Sequence, residues 1–499
     1  MGRRFLACLG VLATFGLAAC PEPTNGEPQI PVAPGLGGRL GYMRGHGMPP
    51  TPKAPAPQVA RAHAHPMRSS DRLGGPNATG RVGDWVLEND EVVFVIDALD
   101  GGGGFAESGG NLIDAADARL RKDELGQVVT YFGTFPRQGV YTSLEGSELD
   151  GGEAKIVAKG HELYDASIEV MTEYRLAGAD RALLVTTTLK NTGRTDVALP
   201  ALGDAIQWGG AEKVAPGKAA GWKGPSSGPF IGGVGRFASY AITTPDGEIS
   251  AISGAAWTDT EQKKSVTIAA GASETYQRVF AVGERADVAS LVSELTKASA
   301  GDLGGLEIAL VDAAGKPVRV PPGAKVVIAT PAGAEVMSMV AAKDDATFGG
   351  ELPPGKWVVS FAPSVGRRSI AAAAKVTVDV KNGAVAKATL AVTDVARLDA
   401  SCTEKDASGV ETALMLPCKI TVEGLLGTPT PDLGPMNVAG PTKNQLIANV
   451  GEVAVAPGKY RLTFTRGPEY GAETTELTLM PGTLRRVSTA LRRIVDTSG

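Results

Sequence analysis

Ile168, Val170, Tyr174 and Leu176 alternate with Glu169, Glu173 and Arg175, and a similar two-residue period runs through Leu184–Leu189. That period belongs to strands with one wet face. Upstream, Trp85–Glu88 and Glu91–Ile96 flank Asn89-Asp90, a hairpin pattern. A glycine-rich stretch from Asp97 to Gly110 follows and leads into Asn111–Ala115. Further strands are predicted at Val128–Phe132, Ser239–Thr244, Glu248–Ser253 and Thr275–Val282. Helical spacing is clear once, over Asp287–Ser299. There Val288, Leu291, Val292 and Leu295 form one stripe, Asp287 suits the N-cap and Gly301 the stop. The pattern predicts an all-β fold, with a large sandwich over 71–300 that ends in one short helix.

Beyond the helix, two stretches echo each other. Leu352-Pro353-Pro354-Gly355-Lys356-Trp357 and Val455-Ala456-Pro457-Gly458-Lys459-Tyr460 each feed an alternating strand, about one small sandwich apart in sequence. Two immunoglobulin- or transthyretin-like β-sandwiches are therefore expected, over 301–394 and 395–499. Leu306–Asp312, Gly315-Lys316-Pro317-Val318 and Ala324-Lys325-Val326 resemble the carboxypeptidase regulatory-like family of small sandwiches.

Composition narrows the function classes. The 499 residues carry 49 basic and 54 acidic side chains, a net charge of −5, without a basic stripe, so nucleic acid is not an expected partner. With 65 glycines and 33 prolines, turns and short strands are favoured over long helices. Arg3 and Arg4 precede an apolar run from Phe5 to Leu17, the layout of a secretory signal. Its ending, Leu17-Ala18-Ala19-Cys20, resembles the lipobox of bacterial lipoproteins. The resemblance implies that 1–20 is the signal and that Cys20 carries the lipid. A membrane partner through that anchor follows, with a place in the cell envelope, leaning to the outer membrane because Pro21 and Glu22 lack the aspartate of inner-membrane retention. Residues 21–70, dense in proline and glycine, read as a disordered tether. Cys402 and Cys418 remain as an even pair, expected to form a disulfide in an oxidising compartment.

Candidate chemistry is sparse. Gly224-Pro225-Ser226-Ser227-Gly228 fits G-x-S-x-G, yet the last histidine is His161, so the nucleophile–acid–histidine order fails and a loop is expected. Gly101–Gly104 with Asp97, Asp100 and Glu107 has the oxygen supply of a calcium loop but not its spacing; a structural turn is the preferred reading. His63-Ala64-His65 lacks neighbouring carboxylates and is assigned to the tether. No catalytic residue, metal ligand or cofactor is assigned. Trp208, Trp222 and Trp257 fall in the loop-rich middle of the large sandwich, where exposed rings would give a sugar-stacking platform, although packing roles are the commoner use.

Asn191-Thr192-Gly193 followed by Gly203–Gly209 resembles the large sandwiches of the galactose-mutarotase type. A histidine and a glutamate do the chemistry in that family; no motif here places His161, so the activity is not carried over. A wider likeness joins Gly83–Asp90, Gly109–Asp114, the regulatory-like modules and Arg466-Gly467-Pro468-Glu469-Tyr470. That order resembles the non-catalytic front half of envelope lipoproteins ending in a PHP-type metallohydrolase domain. The family's metal domain opens after a segment like Leu491–Gly499, where this chain stops, so none of its ligands maps here. The expectation is a lipid-anchored envelope binding or scaffolding protein, with a glycan or protein as partner. The alternative is the targeting half of a PHP-type hydrolase whose catalytic domain is missing or on another chain.

Overall fold

The computed structural model describes residues 60–495 except 134–135, 219, 313, 319–324, 341–346, 363–374, 392–395, 406–407, 432, 434–443 and 448–451. The signal, Cys20 and most of the tether lie outside the described residues. The fold is all-β with one α-helix, and no helix among the described residues is long and apolar enough to cross a membrane.

The first domain packs a ten-stranded sheet on an eight-stranded one. In the larger sheet the central strands run in the order Trp85–Glu88, Val92–Ile96, Leu112–Asp117, Gln127–Tyr131, Val197–Gln207, Trp257–Glu261 and Ile249–Ser253. The smaller is centred on Ser273–Val282, Ala182–Asn191 and Ile168–Leu176. Alternation explains the layering: Ile168, Val170, Tyr174 and Leu176 turn inward, while Glu169 and Met171 face water. Between the sheets lies a buried polar layer. Arg278 donates to Asp204 (2.7 and 3.0 Å) and Thr187 (2.6 Å), and Thr172 links Thr187 to Tyr141. Burial pushes the Asp204 carboxyl up, and the adjacent Arg278 guanidinium pulls it back.

The tether expected over 21–70 ends earlier. His63–Pro66 is an edge strand paired with Trp85–Glu88, and Ala62 and Met67 on either side are buried. Proline and glycine density ran past the boundary because it does not register the two apolar anchors. Gly224–Gly228 is an edge strand paired with Ile249–Ser253, where a loop was expected.

The helix α1, Val288–Ala298, matches the predicted stripe and is capped by Asp287, whose side chain accepts from Ser290 N. Leu291 and Leu295 join one apolar cluster with Phe230 and Ala281 of the first domain and with Leu306, Met339 and Leu352 of the next. The helix is thus the shared filling of two domains.

The two small modules are structural repeats. In the first, strand Gly304–Val311 lies between antiparallel Thr347–Leu352 and parallel Val385–Ala391. In the second, Ala396–Lys405 has antiparallel Val453–Val455 on one side and parallel Leu484–Arg492 on the other. The facing sheets also correspond. Even the turn bonds match: Trp357 Nε1 donates to Pro353 O (3.1 Å) and Tyr460 Oη to Ala456 O (2.8 Å). The second copy has an extra strand, Glu411–Leu416, with no counterpart among the described residues of the first. Cys402 and Cys418 flank that strand and form a disulfide with Cα atoms 6.3 Å apart.

Candidate ligand-binding cleft

Neighbouring strands of the larger sheet put Gln127 opposite Gln207, and Gln207 opposite Trp257. Residues directly paired in a sheet share a face. Val128 and Ile206, next along their strands, point into the core, so Gln127, Gln207 and Trp257 form a row on the outer face. Ile113 extends it on the far side of Gln127, because Leu112 pairs with Val128.

Two segments wall this row and enclose a cleft of about 500 Å³, lined among others by Asn77, Thr79, Arg81, Asp97, Gln127 and Gln207. One wall is the glycine-rich stretch after Asp97. Its backbone is pinned by Gly101 N to Ala98 O (2.7 Å) and Gly110 N to Asp97 O (2.8 Å). Gln138 donates to Phe105 O (2.9 Å) and accepts from Glu107 N (3.0 Å). A Cβ at Gly101 would sit 1.8 Å from Asp97 Oδ1, so the Asp97 side chain would have to move to admit one. Gly104, with φ +64°, comes close above the two glutamine amides. Phe105 then sets its ring edge-on to Trp257, centroids 5.1 Å apart, at the rim. The other wall, Pro76–Arg81, is held by Asp114, whose carboxylate accepts from Thr79 N (2.9 Å) and Gly80 N (2.8 Å).

Gln127 is 4% exposed, and among the described residues neither its amide nor that of Gln207 has a hydrogen-bond partner. Neither amide is among the fully enclosed polar atoms that lack a partner, so both open to the cleft. Both amides present a donor and an acceptor to the cleft.

The acids are arranged with equal care. Asp84 is fully buried and accepts from Arg81 N (2.7 Å) and Ala98 N (2.9 Å). Asp97 lies against it. Burial pushes the Asp97 carboxyl up to about 6, and the neighbouring Asp84 charge and their shared hydrogen bond push the same way. Arg81, the one cationic side chain lining the cleft, turns its guanidinium to Asp100 (3.3 Å) and Asp84 (3.9 Å). On the next strand Asp259 is also pushed up to about 6, by burial and then Glu261, with a Trp257 hydrogen bond opposing.

The expected site residues are therefore divided. Trp257 stands at the cleft rim. Trp208 is 1% exposed, with its indole bonded to Thr258, and Trp222 is likewise core, so these two rings pack the interior and offer no platform. Asp100 pairs with Arg81 and Glu107 is held through its backbone, so the loop's acids do not converge as a calcium set. No group of three or more metal-ligating side chains converges among the described residues. His63 and His65 each meet a carboxylate, Glu148 at 2.8 Å and Glu88 at 3.3 Å. His161 bonds the neighbouring Glu162 carbonyl (2.9 Å). Sequence reading missed Gln127, Gln207 and Phe105. The available signal was two glutamines at strand ends, beside Val128-Val129 and Ala205-Ile206.

No protein-family model matches the chain, and no curated protein matches it. Among solved structures, it is similar to a TPR-domain-containing protein from Parabacteroides distasonis (TM-score 0.32, 11% identity, 46% of this chain and 56% of that one). It is also similar to the Slr1438 protein of Synechocystis (0.29, 9%, 41% and 96%). A third is a GH36 α-galactosidase from Geobacillus stearothermophilus (0.29, 9%, 46% and 45%). The chain thus spans about half the length of the first and third. The functional reading rests on the cleft itself.

Proposed function

We propose that this is a lipid-anchored envelope protein that binds a glycan in the outer-face cleft of its first domain, the two small sandwiches serving as scaffold. One observation carries the reading: two amides without a partner among the described residues open to the cleft in a row with a partly exposed tryptophan. Sugars offer vicinal hydroxyls for the amides and an apolar ring face for the aromatic. The lipobox-like ending Leu17-Ala18-Ala19-Cys20 supports the location. Titration calorimetry of the intact chain with peptidoglycan fragments and lipopolysaccharide core oligosaccharides tests the binding. The expected result is millimolar or tighter affinity, weakened at least tenfold in Gln127→Ala and Gln207→Ala. Flat titrations at millimolar ligand remove the glycan reading. For the anchor, Cys20→Ser is expected to move the protein from the membrane to the soluble fraction.

A further inference from the structure

The charge balance of the cleft says more about its occupant than its shape does. Asp97 is 6% exposed and Asp84 fully buried, and two adjacent carboxyls with little water need compensation. The chain supplies one guanidinium, and Arg81 divides it between Asp84 and Asp100, the latter at 3.3 Å. No lysine lines the cleft. Beyond it, Asp114 adds a further carboxyl from the strand Leu112–Asp117; burial pushes it up and the Asp84 charge acts the same way. The remaining polar lining, Gln127, Gln207, Asn77 and Thr79, is neutral. A ligand that brings its own positive charge to Asp97 completes this set, and an anionic ligand meets the repulsion of the Asp97 carboxylate.

We propose that the cleft selects a sugar bearing a free amine, its ammonium seated on Asp97 while Gln127 and Gln207 hold its hydroxyls. This deepens the glycan reading and rests on it. The chemistry points to amino sugars over N-acetylated, neutral or uronic ones, because acetylation removes the charge and a uronate reverses it. An ammonium on a desolvated carboxylate is a charge-assisted hydrogen bond, roughly twice as strong as a neutral one. A larger residue at Gly101 would displace the Asp97 carboxylate.

The decisive experiment titrates the intact chain with four matched tetrasaccharides: β-1,4-linked glucosamine, N-acetylglucosamine, glucose and galacturonate. The glucosamine oligomer is expected to bind at least tenfold tighter than the acetylated and neutral ones, with the galacturonate weakest. Asp97→Asn, which keeps the side-chain shape, is expected to erase the amine preference while circular dichroism and melting show an intact fold. Asp150→Asn, at an exposed carboxylate in the turn between the strands Gly139–Glu148 and Ala154–Glu162 of the smaller sheet, serves as a control for general attraction to an acidic protein and is expected to keep the preference. As pH falls below about 6, Asp97 takes up its proton and the preference should shrink. The other charged groups facing that site are Asp84, Arg81, Asp100 and Asp114. If acetylated and amine forms bind equally, or if Asp97→Asn keeps the preference, the ammonium assignment is wrong and the glycan reading stands. If none of the four binds, and the envelope oligosaccharides also fail, both are wrong.

Discussion

Asp97 shows how one side chain trades stability for a site. Its carboxyl sits near 6 in the fold against an ordinary 3.8, so the protonated form is the one the fold prefers. The stability it contributes is complete below the ordinary value and lost as pH rises through about 6. Asp97→Asn should therefore match the parent near pH 4 and exceed it near pH 7, by about 1–2 kcal/mol after solvent screening, in chemical denaturation at the two pH values. At Asp204 the fold supplies a partner cation, Arg278. Arg278→Met leaves a fully buried carboxylate without its cation and should cost about 3–5 kcal/mol, measured by the same unfolding experiment. At this level the sequence was only partly legible. The glycines after Asp97 announced a tight turn, and the turn is there. Gln127 and Gln207 were not legible as a site, because an amide in a strand reads the same whether it faces bulk water or a walled cleft. For Trp208 and Trp222 packing was the commoner expectation, and both are core; the platform reading came from their flanking glycines, which mimic a surface loop.

The helix and the two Pro-Gly turns were readable because each carries its signal within a few consecutive positions. Val288, Leu291 and Leu295 mark a buried stripe by spacing alone, and Asp287 is the cap that the pattern asks for. What spacing cannot say is that the same carboxylate reaches onward: Asp287 also accepts from Arg285 Nε (2.9 Å) and from Val340 N (3.1 Å) in the neighbouring module. Asp287→Ala should then cost more than an ordinary cap, about 2–3 kcal/mol against the typical ~1. Thermal melting compared with Asp287→Asn, which keeps an oxygen for the Ser290 N cap but puts an amide where Arg285 Nε and Val340 N donate, checks this. The strand–turn echo held to the level of side-chain bonds. Tyr460→Phe, which deletes only the hydroxyl to Ala456, should destabilise the second module by about 1 kcal/mol.

Whole-molecule organisation follows from which cores are shared. The first domain, α1 and the first small module meet in one apolar cluster, whereas the second small module has a core of its own built around Cys402, Tyr460 and Phe464. Calorimetry should show two transitions. Cys402→Ala with Cys418→Ala should lower only the second module's, by roughly 3 kcal/mol for a loop of this length; an equal shift in both would contradict separate cores. Periodicity gave the order of these domains but not their coupling, because a stripe shows that a helix is buried without showing on what. The β-topology of the modules has a kinetic consequence. In each, the opening strand ends up in the middle of a sheet, flanked by an antiparallel neighbour from mid-module and by the closing strand, Val385–Ala391 or Leu484–Arg492. A chain emerging amino end first must therefore wait for the module's last residues before its first strand has both partners. Long-range parallel pairing of this kind is intrinsically slow and leaves apolar edges open meanwhile. Two such modules in tandem, with similar opening strands, can capture each other's closing strand if they fold together, so synthesis of the first ahead of the second keeps the two copies apart.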